Sequence, residues 1–123
     1  MAIAKTVIAH LAGADADVIF LELGDGVIGE YGVLDILKDP EVQACVRMHA
    51  FCAADMVGAW GGQRLLAELG IGIDLFSGPV TDNDVGVEYL EKEFKKRAIN
   101  AHRNPEALAD AVKQHLALAP RHG

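Results

Sequence analysis

Residues 17–23, Asp17-Val18-Ile19-Phe20-Leu21-Glu22-Leu23, are apolar on both alternating faces. A run of that kind reads as a strand of a parallel sheet covered by helices, because a strand with one wetted side would alternate. The rest of the chain follows the same grammar. Ile3, Val7, Ile8 and Leu11 fall on one helical face, with Gly13 as the stop. Val33, Leu34, Ile36 and Leu37 predict a short helix ending near Asp39-Pro40, and residues 46–51 a second β-like run. Asp55 is placed to cap a helix through Met56, Val57, Trp60, Leu65, Leu66 and Leu69, closed by Gly70 and weakened by Gly58, Gly61 and Gly62. Residues 71–76 read as a third strand, cut off by Ser77-Gly78-Pro79. Asp82 or Asn83 opens a helix through Val87, Tyr89, Leu90 and Phe94, and residues 98–100 read as a short fourth strand. Asn104-Pro105-Glu106 gives cap, proline and acid in the order a helix start requires, with Leu108, Val112, His115 and Leu116 as the inner stripe. The expected fold is α/β: three layers, with a mainly parallel sheet of about four strands flanked by helices.

The 123 residues suffice for one α/β domain over 1–123. With 51% hydrophobic and 24% charged residues the chain is expected to be globular. Its apolar runs stop short of the ~18 residues of a membrane span, and Lys5 inside the first of them favours an amphipathic helix over a signal peptide. A net charge of -7 has the wrong sign for a phosphate-backbone partner. The basic residues Lys92, Lys95, Lys96 and Arg97 interleave with Glu88, Glu91 and Glu93, as on a solvated helix face. Cys45, His49 and Cys52 form C-x3-H-x2-C, which falls short of a closed metal set. Their apolar surroundings point to buried, reduced thiols and hence to the cytoplasm. The tail, residues 119–123, is expected to fray.

A parallel sheet presents ligands at the carboxyl ends of its strands. Those ends are residues 22–29, 52–55, 77–83 and 100–104, all polar or glycine-rich. Gly24-Asp25-Gly26-Val27-Ile28-Gly29 fits the G-x-G-x-x-G template, which raises an NAD-type reading. Asp25 and Glu30 oppose it, since both would compete with a pyrophosphate for the helix's positive end. Four large apolar residues running into Glu22 fit a Walker B strand better, where the carboxylate holds Mg2+ beside nucleotide phosphates. A small acid–base enzyme using Asp25, His49 or His102 is a further reading. Ser77 is the only serine, and with Thr6 and Thr81 it leaves little for acyl transfer. Trp60 and Met56 read either as core or as an interface for self-association.

Taken in order, "VIFLELGDG", "AFCAADMVGAWGGQRLLAELG", "IDLFSGPVTDN" and "AINAHRNPEALADAVKQHL" resemble the C-terminal half of a P-loop NTPase domain of the dethiobiotin synthetase-like, MinD-related class. The resemblance implies Glu22 as the magnesium-side carboxylate, Asp25 near the same ion, and Asn83 as the base-contacting asparagine. Gly24 and Gly26 would border the ligand, Mg2+ with ATP or another nucleotide. No G-x-x-x-x-G-K-[ST] occurs, so the phosphate cradle and its lysine are missing from this chain. The implication is a half-domain that does not hydrolyse ATP alone, working as a homodimer or with a companion chain that supplies the loop.

Overall fold

The computed structural model describes residues 2–29 and 32–118; Glu30 and the tail at 119–123 lie outside the described residues. The chain divides into two compact units, Met1–Val46 and Arg47–Gly123.

The first unit is helical: α1 (Ala2–Gly13), α2 (Val33–Lys38) and α3 (Pro40–Cys45). Asp39 organises it. Its Oδ1 accepts hydrogen bonds from the Glu41 and Val42 amides at 2.9 and 3.1 Å, capping α3, and Pro40 occupies the first turn. Its Oδ2 meets Lys5 Nζ at 2.9 Å, fastening α1 to the α2–α3 junction. The Lys5 hydrogen bond holds the Asp39 carboxyl below its ordinary range, while Asp39 raises the lysine. Val33 and Val42 are buried. The expected inner face of α1 is not one, however: Ile3, Val7 and Leu11 are exposed, and only Ile8 is half-buried.

Residues 17–23 form no strand, which corrects the sequence expectation. Val18, Phe20 and Leu21 are exposed, Phe20 at 80%. The physical reason is that β-propensity fits a residue to a pleated, half-buried surface and cannot create the neighbouring strand. No hydrogen bond of residues 18–23 is found among the described residues.

The second unit holds the sheet: β1 (Ala50–Cys52), α4 (Met56–Glu68), β2 (Leu75–Ser77), a 3-10 turn (Pro79–Thr81), α5 (Asp84–Phe94), β3 (Arg97–Ala98) and α6 (Pro105–Leu118). The strands lie in the order β1-β2-β3, all parallel, with Phe51 opposite Phe76 and Phe76 opposite Ala98. This is the expected parallel α/β arrangement with helices flanking the sheet, built on three strands rather than four. The boundaries shift later: β1 begins at Ala50 rather than Val46, and β2 at Leu75 rather than Ile71.

Phe76 is fully buried at the centre, edge-on to Phe51 at 6.2 Å and stacked with Phe94 at 5.4 Å. Leu66, Leu75 and Leu90 are also fully buried, and Ile99 and Ala111 join Leu75 in a cluster flanked by Met48 and Leu108 of α6. Two glycines set helix placement. A Cβ on Gly62 would lie 2.2 Å from the Phe51 ring, so α4 reaches β1 only because that position is bare. A Cβ on Gly86 would lie 1.8 Å from the Val80 carbonyl oxygen, which lets the first turn of α5 abut the 3-10 turn.

Candidate functional site

The carboxyl ends of β1, β2 and β3 run into residues 53–55, 78–83 and 99–104 on one edge of the sheet. At that edge the backbones of two loops are joined: the Ala53 amide donates to Ser77 O at 3.1 Å, and the Val80 amide to Ala53 O at 3.0 Å. The approach requires Gly78, whose φ is 87° and whose Cβ would sit 2.8 Å from Ala53 O.

Asn100, 5% exposed, knits the edge together. Its Nδ2 donates to Thr81 Oγ1 at 3.0 Å and to Asp82 Oδ1 at 2.8 Å. Its Oδ1 accepts from the His102 and Arg103 amides at 3.0 and 2.7 Å. Thr81 Oγ1 in turn donates to Gly78 O at 2.6 Å, and Ser77 Oγ accepts from the Ala101 amide at 3.2 Å. The Arg103 guanidinium donates to the Asp82 carbonyl, tying the loop after β3 to the loop after β2. The buried hydroxyls and amide are therefore spent on shaping the edge, and the exposed side chains along it include His102 and Asn83, with Asp82 and Arg103 exposed but already engaged in those bonds.

The expected site residues distribute as follows. Asn83 stands on this edge, exposed, with its Oδ1 accepting from the Gly86 amide at 2.9 Å as the N-cap of α5. Asp55 likewise caps α4, accepting from the Gly58 amide at 2.7 Å. Glu22, Gly24, Asp25 and Gly26 belong to the first unit, on an exposed turn with Gly26 at φ 86°. That turn follows an irregular segment, so the G-x-G-x-x-G template lacks the strand its geometry requires. Among the described residues no group of three or more His, Cys, Asp and Glu side chains is arranged to hold a metal ion. The two thiols are exposed, which corrects the buried-strand reading: Cys45 ends α3, and Cys52 shares the exposed face of β1 with Ala50 while Phe51 turns inward.

His49 precedes β1, and its backbone is locked to Asp74. The His49 amide donates to Asp74 Oδ2 at 2.8 Å and the Asp74 amide to His49 O at 2.8 Å. Burial pushes the His49 imidazole below its ordinary pKa, against the pull of the Asp74 charge. His115 of α6 joins this end of the sheet, its Nε2 at 2.9 Å from the Arg47 carbonyl oxygen and 3.9 Å from Asp74 Oδ2. The His49 backbone and the His115 side chain thus tie together the amino ends of the strands.

A second surface of this unit is apolar. Met56, Val57, Trp60 and Gly61 of α4 and Tyr89 of α5 line an open groove of about 360 Å³. Trp60 is 46% exposed and Val57 81%, so neither belongs to the core. Arg64 lies 5.6 Å from the Trp60 ring and pairs with Glu68 at 3.6 Å.

Sequence reasoning placed the loops but missed Thr81 and Asn100 as their shared anchor; the only signal was a lone asparagine following an apolar strand. No protein-family model matches the chain, and neither the curated proteins nor the solved structures contain a match.

Proposed function

We propose that the chain is a nucleotide- or phosphometabolite-binding α/β domain of the P-loop NTPase-like type, incomplete as a catalyst by itself. The observation that supports it is the edge at which three parallel strands end. Parallel sheets bind ligands there, and here the loops are pre-shaped by Asn100, Thr81 and Gly78. Arg103 and His102 offer donors to an anion, and Asn83 stands at the start of α5. Glu22 and Asp25, on an exposed turn of the first unit, are proposed separately from that edge as magnesium carboxylates: hard oxygen donors suit Mg2+, which keeps several waters and needs only one or two protein ligands. With no lysine-bearing phosphate loop in the sequence, the reading is of binding, with the loop supplied by a companion chain. Thermal unfolding with and without Mg2+–ATP or Mg2+–GTP tests it. A magnesium-dependent stabilisation, reduced in Glu22→Gln, is expected. The same stabilisation in Glu22→Gln removes the carboxylate assignment, and none with any nucleotide removes the reading.

A second reading, a self-associating interaction module, is favoured by the exposed apolar residues: Val57, Trp60 and Val85 on the second unit, and Val18, Phe20, Leu21 and Ile28 on the first. Light scattering across a concentration series tests it, and a strict monomer ends it.

A further inference from the structure

Ten aspartates and three asparagines are spread over the chain, and Asp25 alone among them is followed by glycine. The dipeptide matters because the backbone amide of the next residue can close a five-membered ring on an aspartate's own carboxyl carbon. A side chain on that next residue crowds the approach, and glycine removes the obstacle.

The fold decides which carboxyls can use this chemistry. Asp39, Asp55, Asp74 and Asp82 each accept a hydrogen bond that fixes the side chain. Asn83 caps α5, and Asn100 is bound through both atoms of its amide. Asp35 and Asp110 lie inside helices, where the next amide is tied into the helical ladder. Asp25 escapes all of these restraints. Residues 24–26 are exposed and belong to no helix or strand, and no hydrogen bond or ion pair holds the Asp25 carboxylate among the described residues. Gly26 has φ 86°, and a Cβ built on it would meet nothing within 4 Å, so the turn has room to reshape.

We infer that Asp25 is a site of spontaneous isomerisation to isoaspartate. The Gly26 amide nitrogen attacks the Asp25 carboxyl carbon and gives up its proton, which leaves with the carboxyl hydroxyl as water. A second water then opens the cyclic imide. Opening at the former side-chain carbonyl restores Asp25; opening at the main-chain carbonyl leaves the chain running through the β-carbon. No atom is gained or lost overall. The product lengthens the turn by one carbon and presents a free α-carboxylate, the group that carboxyl-methylating repair enzymes recognise. The inference stands without the nucleotide reading.

The test is prolonged incubation of the folded chain at neutral pH, followed by peptide mapping with electron-transfer fragmentation and methylation by an isoaspartate-specific carboxyl methyltransferase. Isoaspartate is expected to accumulate at residue 25 ahead of every other aspartate. Its rate should lie within about tenfold of that in the denaturant-unfolded chain, a barrier difference of no more than about 1.4 kcal/mol. Asp25→Glu should abolish the signal, since a six-membered ring closes far less readily. Asp25→Asn should form isoaspartate faster through the same imide, releasing ammonia in place of water. The position is exposed, and circular dichroism verifies that the helices persist in both variants. A folded rate below that window overturns the inference, as does isoaspartate arising equally at other aspartates or surviving in Asp25→Glu.

Discussion

Replacing Asn100 with alanine removes four hydrogen bonds from one nearly buried side chain. They are not equal. The His102 and Arg103 amides belong to exposed residues, so water takes over much of their pairing and their loss costs a few tenths of a kcal/mol each. Thr81 Oγ1 keeps its bond to Gly78 O, so losing its second partner costs about 1 kcal/mol. The bond to the Asp82 carboxylate is charge-assisted, and such bonds contribute about 1.5–3 kcal/mol. Exposure of Asp82 places it at the lower end of that range. Asn100→Ala should therefore destabilise the second unit by about 3 kcal/mol. Asn100→Asp separates the two halves of the network. Its carboxylate can still accept from the two amides, but where Nδ2 lies 2.8 Å from Asp82 Oδ1 it sets oxygen against oxygen. That variant should be at least as unstable as alanine at neutral pH and should recover as the solution is acidified and one carboxyl takes up a proton. Urea unfolding followed by the fluorescence of Trp60, the single tryptophan, measures both. Losses below about 0.5 kcal/mol in both variants would refute the claim that Asn100 holds the three loops together.

Three further outcomes follow from the packing. Gly62→Ala should cost about 1–3 kcal/mol, because its Cβ overlaps the Phe51 ring, whereas Gly61→Ala, with nothing within 4 Å, should gain up to about 1 kcal/mol from helix propensity; urea midpoints rank the pair. Lowering the pH from neutrality through 6.5 should destabilise the second unit. Burial lowers the His49 pKa in the folded state, so the unfolded chain binds more protons there, and stability present above the unfolded value is lost towards the folded one. His49→Gln should flatten that slope in thermal unfolding curves. Asp39→Ala should remove the α3 cap and the Lys5 tie together, and faster amide exchange in residues 41–45 reads the loss.

The helix starts were legible because they are encoded locally. Asp55, Asn83 and Asn104-Pro105 each stand where a helix begins, and in the first two the side chain makes the capping bond. The same pattern stands at Asp39-Pro40-Glu41, and α3 is what it encodes. The apolar run that follows it suggests a buried strand reaching back over Cys45, but pairing starts only at Ala50. Strands are less legible because each exists only with its neighbour. Residues 71–76 and 98–100 are close to real strands that meet each other, whereas residues 17–23 have the stronger strand composition and no ladder.

The glycines of α4 show a similar limit. Gly58, Gly61 and Gly62 look equally like helix weakeners in sequence, yet only Gly62 is required by a close approach. At the candidate site, the loops that end the strands were predictable from composition. Which polar groups stay free was not, because that depends on Asn100, Thr81 and Ser77 being consumed by the fold itself.

The most direct test of a ligand edge is residue-resolved. Amide chemical shifts of the protein titrated with Mg2+–ATP and Mg2+–GTP should move at residues 78–83 and 100–104, at the carboxyl ends of β2 and β3. Perturbations confined to the Trp60 groove, or none at saturating nucleotide, would contradict the account.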